Sequence, residues 1–192
     1  MRDIDLNFVG PFTFMDGEAC VFHSAFAASP GIYLWTIRQD RDDTHLVHYV
    51  GETVSLGKRH REHLIHILGL NYGVFDSDKA RQGVSELLWK GLWRDKTASG
   101  PSMQLEAYQA IHQHVLRYLS ILNVFFAELN VGTNLRRHVE GCIGWHLRNN
   151  HPEHKALYPD DNHVGTMREK NNGILRISVP EVIRGLDGVI PY

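Results

Sequence analysis

Two stretches decide the fold: Gly31-Ile32-Tyr33-Leu34-Trp35-Thr36-Ile37 and His45-Leu46-Val47-His48-Tyr49-Val50-Gly51. Both are dense in aromatic and β-branched residues, which suit a pleated, buried surface and predict strands. Gln39-Asp40-Arg41-Asp42-Asp43 between them is a charged turn, so the simplest pairing is an antiparallel hairpin. Thr53-Val54-Ser55 then opens a helix with Ser55 as its N-cap. On a helical wheel Leu56, Leu64, Ile67 and Leu68 share one arc, which predicts a core-facing stripe. Arg59, His63 and His66 fall on the flank of that arc, at the expected boundary between core and solvent.

Working outward, Ile121-Leu122-Asn123-Val124-Phe125-Phe126-Ala127 reads as a third, buried strand. A turn at 130–133 leads into a helix over about 134–148. Its apolar arc is Leu135, Val139, Cys142, Ile143 and Leu147, with Glu140 at the edge. Between first helix and third strand, residues 84–93 and 104–118 read as helices, separated by the loop Thr97-Ala98-Ser99-Gly100-Pro101. Trp89 and Trp93 would then share one helix face, as core or as a partner patch. Residues 1–30 mix short apolar patches with Gly and Pro and predict a lead-in with one strand. Gly173-Ile174-Leu175-Arg176-Ile177-Ser178 reads as a strand near the other end.

The expected class is α+β: a small three-stranded antiparallel sheet flanked by helices, with a helical insertion before the third strand. One domain over 1–192 would have its core module at about 31–69 plus 119–165. Residues 70–118 would be the insertion, and 1–30 and 166–192 peripheral extensions. A chain of 192 residues suits one core better than two.

Composition narrows the function classes. Hydrophobic residues at 43% and charged residues at 22% are those of a folded domain and exclude a disordered chain. No apolar run reaches the ~20 residues of a membrane span, and the acidic start shows no secretory signal. Cys20 and Cys142 lie too far apart in sequence for a disulfide framework or a Cys-rich zinc site, which suits a reducing, cytoplasmic setting. A net charge of -2 argues against a protein that merely coats nucleic acid, so any phosphate contact needs locally concentrated cations. Lys58, Arg59 and Arg61 against Glu62, and Arg136, Arg137 and Arg148 against Glu140, supply two such basic helices.

Gly31-Ile32-Tyr33, Tyr49-Val50-Gly51 and the Arg59-x-x-x-His63 spacing, in that order, resemble the GIY-YIG nuclease family. The resemblance covers 31–69, and more loosely the strand and helix at 121–148. It implies the three-stranded module and a metal-dependent endonuclease that hydrolyses DNA phosphodiester bonds, with RNA not excluded. Glu140 matches the family's metal-binding glutamate, and the cofactor implied is Mg²⁺ or Mn²⁺. A hard cation takes oxygen ligands and keeps much of its water, so one carboxylate plus phosphate oxygens suffices. The competing reading pairs Glu140 with Arg136 one turn earlier.

The resemblance also implies that Tyr33, Tyr49 or both face the site, one of them taking a proton from the attacking water. The sequence leaves open which. Arg59 would clamp the non-bridging phosphate oxygens through its forked donors. His63 would contact a phosphate, orient a tyrosine or take a proton. Asn162, in Pro159-Asp160-Asp161-Asn162, matches the family's asparagine, with Asn149 and Asn150 competing for the role. A double-strand cut from one site per chain would call for a homodimer. Two other classes remain: a catalytically silent nucleic-acid-binding module of the same fold, and a zinc protein using His60, His63 and His66. Arg59 and Arg61 beside those histidines argue against the zinc reading.

Overall fold

Strand β3 (Gly31–Arg38) is buried from Gly31 to Ile37, because it is flanked on both sides and covered on both faces. The computed structural model describes residues 3–94, 101–150, 173–180, 183–186 and 188–191. In it β3 pairs antiparallel with β4 (His45–Thr53) and with β7 (Leu122–Glu128). The expected three-stranded sheet is corrected here. The sheet has four strands in the order β2-β7-β3-β4, because β2 (Val9–Thr13) pairs antiparallel with the outer edge of β7. A second, mixed sheet joins β1 (Ile4–Asn7) parallel to β8 (Ile174–Ser178), and β8 antiparallel to β9 (Val189–Pro191).

The period of two along β3 divides the interior in two. Ile32 and Leu34 face one cluster with Phe125, Ala127 and the apolar stripe of α4 (Thr133–Asn150), namely Val139, Cys142, Ile143 and Leu147. The small mixed sheet closes that side through Leu6, Leu175 and Ile190. Tyr33, Trp35 and Ile37 face the other cluster. There Leu56 and Ile67 of α1 (Leu56–Leu68) and Val115, Tyr118 and Leu119 of α3 (Pro101–Ile121) cover the sheet. Helix α1 thus lies on one face and α4 on the other, and the edge strand β4 runs between them.

The insertion also differs from expectation. Residues 84–93 form no helix; Leu87–Trp89 is a strand, β6, paired with β5 (Val74–Phe75), and a short helix α2 (Ser77–Arg81) lies between the two strands. A short apolar run fits strand and helix equally well by pattern. Here Gly83 and Gly91, both at positive φ, bound the run on either side. Trp89 and Trp93 therefore share no helix face. No helix among the described residues is long and apolar enough to cross a membrane.

Candidate functional site

Tyr33 and Tyr49 come from adjacent strands and the same face of the sheet. Tyr33 stands opposite Gly51, and Trp35 stands opposite Tyr49. The two phenol rings stack with centroids 5.9 Å apart and planes at 30°. Gly51 is required by this packing, since a methyl group there would fall 2.2 Å from Cζ of Tyr33 and 2.3 Å from its hydroxyl. Gly31 is equally confined, with the Ala127 carbonyl 2.1 Å from the place a Cβ would take. The glycines of both motif strands therefore make room for an aromatic side chain or a neighbouring backbone.

Helix α1 turns a different face inward than its leucine stripe suggests. Leu56, Gly57, His60, His63 and Ile67 are buried, whereas Leu68 is exposed. The expected position of His63 at the solvent boundary is corrected, as it is 2% exposed. The sheet makes this possible because it offers hydrogen-bonding aromatics rather than plain hydrocarbon. Trp35 donates Nε1–H to Nε2 of His60 at 3.0 Å. Nδ1 of His60 must then carry the hydrogen, and it donates to the Leu56 carbonyl at 2.9 Å. His63 lies between two phenols: Nε2 is 2.7 Å from the Tyr33 hydroxyl and Nδ1 is 3.2 Å from that of Tyr72. Burial pushes the His60 pKa down to about 4, and burial together with the Arg59 charge pushes that of His63 to about 2. Both rings are neutral near pH 7. Both ring nitrogens of His60 and of His63 are committed to these partners, and among the described residues His60, His63 and His66 form no metal-holding group.

A cavity of about 460 Å³ opens at the end of β4, between the N-terminal halves of α1 and α4. Tyr49, Arg59 and Glu140 all line it, with Glu52, Lys58 and Arg137. Tyr33 and His63 lie behind this lining, so Tyr49 is the motif tyrosine that meets the cavity. Burial first, then the charge of Glu140, raises the Tyr49 pKa, and Arg59 opposes the shift. Burial raises Tyr33 further, with Tyr49 adding and Arg59 opposing. Burial disfavours the charge of Arg59, but the two phenol oxygens and Glu62 outweigh it and raise its pKa. Arg59 is paired with Glu62 at 3.3 Å and remains half exposed toward the cavity.

Glu140 does not pair with Arg136. That arginine is 3% exposed and donates Nε–H to Glu52 at 3.0 Å, another N–H to the Val131 carbonyl, and a third to the Thr133 hydroxyl at 3.0 Å. These bonds tie the first turn of α4 to the end of β4 and set Glu140 at the cavity wall. Burial and the charge of Glu52 push the Glu140 pKa up to about 7. Glu52 is the site residue the sequence reading passed over. Its partner Arg136 is 84 positions away in sequence, and nothing local signals the pair.

A hard divalent cation suits this donor set. A positive charge in the cavity would relieve the burial and the Glu52 repulsion that disfavour ionised Glu140. Among the described residues no group of three or more His, Cys, Asp or Glu is placed to enclose a metal. A cation here would be held by Glu140 together with water and substrate oxygens.

Asn162 lies outside the described residues. Asn149 and Asn150 end α4 in local bonds, to the Trp145 carbonyl at 2.8 Å and to Nδ1 of His146 at 2.9 Å, and neither lines the cavity. No protein family, curated protein or solved structure matches the chain.

Proposed function

We propose that this chain is a metal-dependent endonuclease of GIY-YIG type that hydrolyses DNA phosphodiester bonds in the cytoplasm. The observation that carries the reading is the meeting of Tyr49, Arg59 and Glu140, from three different elements, around one cavity. Tyr33 and His63 support the same cluster from behind. Tyr49 and Arg59 come from consecutive elements, and Glu140 is brought to them from a helix much later in the chain.

In this reading a scissile phosphate enters between Lys58, Arg59 and Arg137. Arg59 holds the non-bridging oxygens, where negative charge grows as water attacks phosphorus. Tyr49 accepts the proton of that water, and Arg59 lowers the cost of the phenolate. The bond from phosphorus to the 3′ oxygen breaks, and that oxygen takes a proton from solvent water, which leaves a 5′-phosphate and a 3′-hydroxyl. Glu140 would hold Mg²⁺ or Mn²⁺, which would supply Lewis-acid stabilisation of the charge that develops at the phosphate. Tyr33, fixed by His63, packs against Tyr49 in the cavity wall.

The test is incubation of the purified protein with supercoiled plasmid, with and without Mg²⁺ or Mn²⁺. Metal-dependent nicking or linearisation is expected. DNA that shifts in a gel but stays uncut with every divalent ion would favour a silent binding module of the same fold.

A further inference from the structure

We propose that Trp93, seated on Tyr72 and His66, is a stacking site for an unpaired DNA base beside the scissile phosphate. This rests on the nuclease reading and names the form of DNA the site takes. Trp93 is 57% exposed, whereas Trp35 in the same molecule is 4% exposed. It is also no isolated surface aromatic. Its ring centroid is 4.6 Å from that of His66 and 5.2 Å from that of Tyr72. Tyr72 in turn lies 5.8 Å from His63, which lies 5.8 Å from Tyr49 in the cavity wall. A continuous line of rings thus leads from the proposed general base to an open indole.

The turn carrying Trp93 is fastened in place. Leu92 donates its backbone N–H to the Leu70 carbonyl at 2.9 Å, and Trp89 donates Nε1–H to the same oxygen at 2.9 Å. Gly91, at a φ of 86°, has the Asn71 carbonyl 2.6 Å from where a Cβ would stand, so the turn lies directly across residues 71–73. A rigid, pre-placed ring loses little entropy on stacking.

The helix under Trp93 is basic: besides His66 it carries Lys58 and Arg59 in the cavity lining and exposed Arg61, against Glu62, which pairs with Arg59. Cations that hold a backbone, with an aromatic to receive a base, are the elements of single-strand recognition. A base inside a continuous duplex already has both faces stacked and offers none to Trp93. The occupant is therefore a base at a single-stranded stretch, fork or flap.

The test compares wild type, Trp93→Ala and Trp93→Phe for binding to fluorescent single-stranded, forked and fully paired DNA, without divalent metal so that nothing is cut. For Trp93→Ala, roughly ten-fold weaker binding of single-stranded and forked DNA is expected, with paired DNA changed less than about two-fold. Trp93→Phe should restore most of the loss, which a merely unfolded turn would not show. An equal loss on all three forms, or no loss on any, overturns the stacking site. If wild type still cuts plasmid in that event, the nuclease reading survives alone; if it neither binds nor cuts any DNA, both fall.

Discussion

Tyr33 and Gly51 face each other across β3 and β4, and the Tyr33 ring occupies the space that any side chain at position 51 would need. Gly51→Ala should therefore displace the ring, strain the Tyr33–His63 bond and loosen Tyr49 beside it. Overpacking of this kind costs about 1–3 kcal/mol. Urea unfolding should report that loss, and cleavage should fall by more than about ten-fold, as sub-ångström misplacement of reacting groups does.

Only one of the motif tyrosines meets the cavity, and this separates their roles. Tyr49→Phe should lower the cleavage rate by about 10²–10⁴-fold, the usual contribution of a general base. Because burial raises the Tyr49 pKa, wild-type activity should climb with pH above neutrality as phenolate becomes accessible. Tyr49→Phe should lose that climb. Tyr33→Phe removes the bond to His63 and should reduce the rate while keeping the alkaline rise.

Glu140 is buried beside Glu52 at some cost to the fold. Its pKa in the folded chain, about 7, lies above the ordinary carboxylate value. Such a group favours the native state fully at low pH, and that contribution is lost as pH rises through about 7. In EDTA at pH 8 the ionised carboxylate should destabilise the protein by on the order of 2 kcal/mol. Glu140→Gln should raise the melting temperature there and leave it unchanged near pH 4.

His60 and His63 act with the opposite sign. Their folded pKa values, about 4 and about 2, lie below the ordinary histidine value. The stability they confer is present above about pH 6.5 and is lost as pH falls from there toward those values. Glu140 offsets one of the two protons between about pH 4.5 and 7, so a net slope near 1.4 kcal/mol per pH unit remains. The urea midpoint should fall as pH is lowered from 6.5 to 5 by about that slope. His63→Gln should bring the dependence close to zero.

The hairpin, the helix after it and the buried strand at 122–128 could be read from the sequence because their signals are local: β-branched runs, a charged turn and a cap. The same local signals placed Tyr33, Tyr49, Arg59 and Glu140 on their elements. The fourth strand was not legible. Val9–Thr13 is short and interrupted by Gly10 and Pro11, and its partner β7 lies more than a hundred residues away. Histidines 60 and 63 read as polar, yet they occupy the buried face of α1, since Trp35, Tyr33 and Tyr72 satisfy their nitrogens. Glu52 escaped notice for the related reason that a buried arginine's partner is set by tertiary contact alone. Residues 84–93 were misread because short apolar runs carry no decisive period.

The most direct test compares wild type with Glu140→Gln in one plasmid cleavage assay across a Mg²⁺ titration, with melting temperatures measured on the same preparations. Wild type is expected to cut in proportion to bound metal, while Glu140→Gln melts no lower than wild type and does not cut. Equal cutting by the two proteins would contradict the assignment of Glu140, and with it the metal-dependent nuclease built around the cavity.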